Sequence, residues 1–293
     1  MTSARAASRL RQRLSEPAIL IAPGAPDALT ARIIERAGFE AAYFTGAGFS
    51  YTHLGAPDLG LVSLTETIWR LAAVVEATRL PVIADADTGY GNALNVTRTV
   101  REFERAGAAA IQLEDQVFPK RCGHLAGKAV ITAEEMIGKI KAAVDSRLDP
   151  DVMIIARTDA RAGMGMDEAI ERAARYREAG ADILFVEAPA SKEELAGIAK
   201  RLAPPVMANM VEGGGTPLCT AAELQAMGYR LAIFPGAAVR AAAAAITRLM
   251  AALKRDGTTA GMRDQMMSFR QLNELLGLQT YQEREERYLE RDP

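Results

Sequence analysis

The 293 residues carry 35 basic and 37 acidic side chains, a formal charge of −2, with 49% hydrophobic and 5% aromatic residues. That balance gives no electrostatic footprint for nucleic acid or an anionic membrane, and two cysteines with two histidines build neither a disulfide framework nor a Cys/His zinc site. No apolar stretch approaches the ~20 residues of a membrane span, so the expectation is a soluble α/β protein of a reducing, cytoplasmic compartment. Arg5, Arg9, Arg11 and Arg13 precede the first acid, Glu16, a pattern that transit peptides share with surface helices. Ala6, Leu10 and Leu14, one apolar residue in every four, favour a helix docked on the body of the protein.

Further along, one phrase recurs: a helical pattern, a small residue with glycine, then a short apolar run. It stands at Ala37-Gly38, Ala106-Gly107, Ala179-Gly180 and Met227-Gly228. Glycine there reads as a left-handed helix terminus, and the run that follows as a strand buried on both faces. In chain order the strand candidates are ILIAPG (19–24), AAYFTG (41–46), PVIADAD (81–87), AIQLED (110–115), VMIIARTD (152–159), ILFVEA (183–188), PVMANM (205–210) and LAIFPG (231–236). Amphipathic segments of helical length lie between them, among them DALTARIIERAG with Asp27 as its N-cap and MDEAIERAARYREAG. Eight such units in one chain of this length predict an α/β fold of the (β/α)8 barrel type, taken as a single domain over 1–293 with an N-terminal helix and a helical extension from about 257. An open Rossmann-like sheet is the runner-up. Gly46-Ala47-Gly48 and Gly89-Tyr90-Gly91 both lack the third glycine its fingerprint needs.

Barrel active sites lie at the C-terminal ends of the strands. Here those ends carry Tyr43 and Thr45, Asp85 and Asp87, Glu114 and Asp115, Arg157 and Asp159, Glu187, and Asn209. Some of these serve equally well as helix caps or ion pairs, but six polar exits out of eight converge on one mouth. Residues two apart on a strand share a face, so Asp85 and Asp87 are expected to point together, with Glu114 on the neighbouring strand. Three acids in one concavity call for a cation, and oxygen ligands without histidine suit Mg²⁺ or Mn²⁺; pairing with Arg or Lys is the alternative. The loop FPKRCGHLAGK (118–128) sets Cys122 among Lys120, Arg121 and His124, with Gly123 and Gly127 for mobility. Nearby positive charge favours a thiolate, and such a loop could close over the mouth; a basic surface loop is the plain reading. VEGGGTPLCT (211–220) is either an anion-binding turn or a flexible one, and Cys219 reads as a packed cysteine.

The motifs DADTGYG (85–91), LEDQ (113–116), KRCGH (120–124) and ARTDA (156–160) resemble those of the isocitrate lyase/phosphoenolpyruvate mutase superfamily, lyase branch, and the likeness runs from APGAPDAL near residue 22 into the C-terminal helices. The resemblance implies Mg²⁺-dependent carbon–carbon cleavage of a 2-hydroxy di- or tricarboxylate of the 2-methylisocitrate or 2,3-dimethylmalate type. It implies Asp87 as main metal ligand with Asp85 and Glu114 beside it, and Cys122 as catalytic acid. It further implies that Thr45, Gly46, Ala47 and Arg157 hold the 2-oxo acid half, and that the lid backbone at Gly123, with His124, Glu187, Asn209 and Arg240, holds the other carboxylate. Tyr43 is a candidate for handling the hydroxyl proton. The resemblance also implies a homotetramer whose subunits exchange C-terminal helices. The stripe Phe269, Leu272, Leu275, Leu276 and Leu278, and the alanine-rich helix over 237–247, would suit that exchange.

Thr45-Gly46-Ala47 and Gly215 depart from the methylisocitrate lyase pattern, while APGAPDALTARII is closer to dimethylmalate lyase-like and mutase-like relatives. A smaller dicarboxylate, a substituted malate or oxaloacetate, therefore stands beside the tricarboxylate. The same-fold alternatives are a carboxyphosphonoenolpyruvate-type phosphonomutase, which has less use for a thiol acid, and an oxaloacetate hydrolase or decarboxylase. A non-catalytic binding barrel would have lost its strand-end acids, and all of them are present.

Overall fold

The computed structural model describes residues 3–123 and 127–289. The chain divides into two compact units, Met1–Ala238 and Val239–Pro293. In the first, eight parallel strands close into a barrel in sequence order, β1 Leu20–Ala25, β2 Ala42–Phe44, β3 Val82–Asp85, β4 Ala110–Glu114, β5 Met153–Thr158, β6 Ile183–Val186, β7 Val206–Asn209 and β8 Leu231–Phe234, with β1 pairing β8 from Leu20 opposite Leu231. Every residue of β3, β4, β5 and β6 is buried, which is why these strands read as unbroken apolar runs rather than alternating ones.

The helices are α1 Ser3–Ser15, α2 Ala28–Arg36, α3 Gly46–His53, α4 Leu64–Ala77, α5 Ala93–Arg105, α6 Ala133–Ser146, α7 Arg161–Met164, α8 Met166–Glu178, α9 Lys192–Arg201, α10 Ala221–Met227, α11 Ala237–Asp256, α12 Phe269–Leu276 and α13 Leu278–Tyr288. Their starts are chemically marked. Asp27 caps α2 by accepting from Thr30 N at 2.8 Å, and Ser63 with Glu66, Asn92 with Asn95 and Thr220 with Glu223 form reciprocal capping boxes on α4, α5 and α10. The four repeat glycines, Gly38, Gly107, Gly180 and Gly228, all have positive φ, as their place after each helix requires. α1 docks as expected, but through Ala7, Leu10 and Leu14, with Ala6 only half-buried: spacings of three and four, not a strict four, keep one face inward.

Several boundaries shift for local reasons. β2 stops at Phe44 because Thr45 turns to cap α3, its hydroxyl accepting from Gly48 N at 3.1 Å. β3 stops at Asp85, not at 87. Asp87 has φ +49°, and its N–H donates to Asp85 Oδ1 at 3.1 Å, so the two acids meet through a turn and not through strand alternation. In the second unit α11 runs to Asp256, beyond 247, and a 3-10 turn over Ala260–Gln265 precedes α12 and α13. Of the expected apolar stripe there, Leu275 is buried, whereas Leu272, Leu276, Leu278 and Phe269 are exposed, Phe269 the most.

Two of the repeat glycines separate backbone strain from crowding. At Gly38 a Cβ would meet nothing, whereas at Gly107 it would lie 2.6 Å from Val75 Cγ1. Gly38→Ala should cost about 1 kcal/mol of unfolding free energy and Gly107→Ala about 2–4 kcal/mol, read from urea denaturation.

Candidate active site

The C-terminal ends of the strands gather a charged cluster in which six carboxylates, those of Asp58, Asp85, Asp87, Glu114, Asp159 and Glu187, face the cations of Lys120, Lys128 and Arg157. Arg157, at the end of β5, is the hub. Its guanidinium reaches Glu114 Oε2 at 3.1 Å and Glu187 Oε2 at 3.4 Å, forks onto both oxygens of Asp159 at 2.9 and 3.0 Å, and lies 5.3 Å from the centre of the Phe185 ring. Asn209, ending β7, continues the chain by donating from Nδ2 to Glu187 Oε2 at 3.1 Å. The cost of burying the guanidinium is outweighed by Asp159, Glu114 and Glu187, which leave it firmly charged.

A second set starts at β2. The Tyr43 hydroxyl donates to Gln112 Oε1 at 3.1 Å, and Gln112 Nε2 donates to Asp85 Oδ1 at 3.2 Å. Burial, reinforced by Asp85, raises the Tyr43 phenol well above its ordinary value, so Tyr43 is a hydrogen-bond donor as it stands. A third set centres on Lys120, whose buried ammonium lies 2.5 Å from Asp58 Oδ1 and 2.7 Å from Asp87 Oδ1. Glu114 N donates to the Asp87 carbonyl at 2.9 Å and Asp87 N to Asp85 Oδ1 at 3.1 Å, which link the three residues mainly through backbone, while the Glu114 carboxylate turns to Arg157. Thr45, Gly46 and Ala47 form the cap and first turn of α3 beside them. A Cβ on Gly46 would lie 3.0 Å from Asp85 Oδ2, and a narrow cleft opens on Gly46, Phe49, Asp58, Asp85, Asp87 and Tyr90.

Desolvation pushes the Asp87 carboxyl up to about 7, against the pull of Lys120 and with Asp85 and Asp58 adding to it. It also lifts Glu114 well above the usual carboxylate range despite Arg157. Among the described residues no three His, Cys, Asp or Glu side chains stand as a ready-made protein cage for a metal. The donors nevertheless suit a hard, partly hydrated cation. They are all oxygen, Glu114 Oε1 is buried with no hydrogen-bond partner, and acids this crowded and desolvated lack positive charge.

The loop after β4 brings Cys122 to the same place. Cys122 is half-buried, its N–H donates to the Asp58 carbonyl at 3.1 Å, and a Cβ on Gly123 would lie 2.5 Å from Arg157 Nη2 and 2.6 Å from Glu187 Cδ. His124 lies outside the described residues. Arg240 is an exposed residue of α11 in the second unit. Cys219 is buried and packed, burial raising its thiol.

Three groups carry more of this geometry than their sequence suggested. Gln112 is a polar residue in the middle of the buried run AIQLE, ahead of the Glu114 that ends it, and that interruption is its signal in the sequence. Lys120 looks in sequence like one charge of a basic loop, and Asp58 sits in a segment with no strand pattern at all.

Residues 10–254 match the phosphoenolpyruvate phosphomutase family. The chain is 54% identical to 2,3-dimethylmalate lyase of Eubacterium barkeri over 96% of its own length and 98% of the relative's, and 45% identical to 2-methylisocitrate lyase of Aeropyrum pernix over 94% and 89%. Among solved structures, oxaloacetate acetylhydrolase in complex with 3,3-difluorooxalacetate superposes with a TM-score of 0.92 at 39% identity, covering 97% of each chain. Phosphonopyruvate hydrolase, solved with oxalate and Mg²⁺, does so with 0.87 at 33%, covering 99% of this chain and 100% of that one.

Removing the Lys120 ammonium leaves Asp58 and Asp87 facing each other without their shared cation. Lys120→Met should therefore lose about 3–5 kcal/mol in urea unfolding without metal, and millimolar Mg²⁺ should restore more stability to the variant than it adds to the wild type.

Proposed function

The chain belongs to the phosphoenolpyruvate mutase/isocitrate lyase superfamily, and we propose that within it the protein is a Mg²⁺-dependent carbon–carbon lyase acting on a 2-hydroxy dicarboxylate of the 2,3-dimethylmalate type, with a tricarboxylate such as 2-methylisocitrate as the larger variant. The observation that carries this reading is the packing of Gly123, next to Cys122, against a guanidinium already fixed by Glu114, Asp159 and Glu187, beside the carboxylates of β3 and β4. A proton donor, an anion-stabilising cation and a site for a hard metal thus share one mouth. Identity of 54% to a dimethylmalate lyase across nearly the whole of both chains supports the smaller substrate.

Asp85, Asp87 and Glu114 would hold Mg²⁺ through carboxylate oxygens and water, Asp87 as the principal ligand. When bound, the ion supplies Lewis-acid polarisation of the oxygen that becomes the new carbonyl. The backbone N–H groups of the first turn of α3, at Gly46 and Ala47, suit the carboxylate of the 2-oxo acid half, where the helix dipole adds to their hydrogen bonds. Tyr43, kept protonated by burial, orients the 2-hydroxyl by hydrogen bonding. The 2-hydroxyl gives its proton to water at the mouth, and as the C2–C3 bond breaks the electron pair of that bond passes to C3. Arg157 faces the charge that spreads onto the adjoining carboxylate, already charged and already oriented, so little reorganisation is needed. Cys122 then gives its thiol proton to C3, releasing a carboxylate and a 2-oxo acid. The proton lost from the hydroxyl balances the one the thiolate must regain. Glu187 and Asn209 border the space left for the released carboxylate, with His124 as a further candidate from the family resemblance.

A second reading, hydrolysis of oxaloacetate, is favoured by the fold match to oxaloacetate acetylhydrolase. Exposed Leu272, Leu276, Leu278 and Phe269 support helix exchange between subunits in a homotetramer. Among the described residues no helix is long and apolar enough to cross a membrane.

Incubation with 2,3-dimethylmalate, 2-methylisocitrate, citramalate and oxaloacetate decides between these readings. A 2-oxo acid released from one of the hydroxy acids, lost on chelation, supports the lyase. Acetate and oxalate from oxaloacetate alone would replace it with the hydrolase, and silence throughout would bring the phosphonomutase forward. Cys122→Ser should lower turnover about 10²–10⁴-fold with the circular dichroism spectrum unchanged.

A further inference from the structure

Lys128 closes the loop that carries Cys122, and its side chain is only 3% exposed. Its ammonium donates to the carbonyl of Gly123 and to Asp159 Oδ1, the latter at 2.7 Å. That same carboxylate oxygen accepts from Arg157 Nη2 at 3.0 Å, while Oδ2 accepts from Arg157 Nε at 2.9 Å. Asp159 is pinned in turn. Its N–H donates to Asp115 Oδ1 at 2.8 Å, and Asp115 Oδ2 accepts from the hydroxyls of Thr158 at 2.7 Å and Tyr176 at 2.9 Å. Burial works against ionisation of Asp159, but Arg157 and Lys128 overcome it and hold the carboxyl below its ordinary value.

A buried ammonium costs several kcal/mol in lost hydration unless it is paired, and packing alone at this position would be better served by methionine. What methionine could not do is bind the Gly123 carbonyl and a carboxylate at once. We infer that Lys128 is a positioning residue: clipped to Gly123 on one side and to Asp159 on the other, it fixes the backbone beside Cys122 in register with Arg157. One carboxylate, Asp159, thus orients the anion-stabilising guanidinium directly and the proton donor through Lys128. Thiol and guanidinium are then placed by a common anchor on β5, which Asp115, Thr158 and Tyr176 tie to α8. Neither residue touches the reacting atoms. The kinetic consequence rests on the lyase reading; the structural one does not.

The test is Lys128→Met in the full-length protein, with two readouts. Hydrogen exchange followed by mass spectrometry on peptides covering residues 117–123 should quicken about tenfold, because the Cys122 amide loses the clip that keeps it on the Asp58 carbonyl. With the substrate that the panel identifies, kcat should fall about 100-fold while KM moves less than threefold, the size expected when a reacting group is misplaced by about 1 Å. Lys128→Arg should recover most of both. Exchange at the wild-type rate in the Met variant would overturn the inference, as would a loss confined to KM. If that variant does not fold, Asp159→Asn removes the anion from the clip, and unchanged exchange over 117–123 would overturn it equally. If no compound is turned over, the lyase reading fails while the exchange result still decides the role of Lys128.

Discussion

Charge compensation at the strand ends governs this molecule. Asp58, Asp85, Asp87, Glu114, Asp159 and Glu187 are brought together by barrel closure, largely out of water, where each unpaired carboxylate would cost several kcal/mol. The three cations set among them do not complete the neutralisation, and the deficit falls on Asp87 and Glu114, the two acids that burial pushes upward. A bound hard divalent cation, as proposed for this site, would supply what is missing. The fold therefore holds an unfavourable charge arrangement that ligand binding relieves, a common relation between stability and function at buried sites.

The cations are not equivalent. Arg157 presents a planar fork that three carboxylates grip at once, so its orientation is fixed before any ligand arrives. Lys120 and Lys128 come from the loop after β4, and each ties that loop to a different acid, Asp87 and Asp159 respectively. A segment that reads as basic and mobile is thus attached to the barrel mouth at both ends by buried ion pairs. Its positive charge serves as anchorage.

Backbone geometry matters as much as side chains. Asp87 adopts φ +49° so that its carboxylate turns toward Lys120 while its carbonyl accepts from Glu114 N. Gly46 and Gly123 leave out a Cβ where one would press on Asp85 and on Arg157. Gln112, buried within β4, spends its amide on linking the phenol of Tyr43 to Asp85. Each is a local departure from the ordinary preferences of its element, and each lies at the site.

The amino-acid pattern by itself determined the architecture, since strands buried on both faces are continuously apolar and a helix that ends in a left-handed turn takes glycine there: the eight runs and the glycines at 38, 107, 180 and 228 are those constraints written in one dimension. It also marked Asp85, Glu114, Arg157, Glu187 and Asn209, because a polar residue closing an apolar run is out of place unless something uses it. Only the tertiary structure decided the pairings. Lys120 with Asp58 joins two loops, Lys128 with Asp159 joins a loop to a strand 31 residues away, and Asp85 with Asp87 meet across a turn where a straight strand was expected. Periodicity reports which face a residue occupies on its own element. Which opposite charge waits on another element is settled only when the barrel closes.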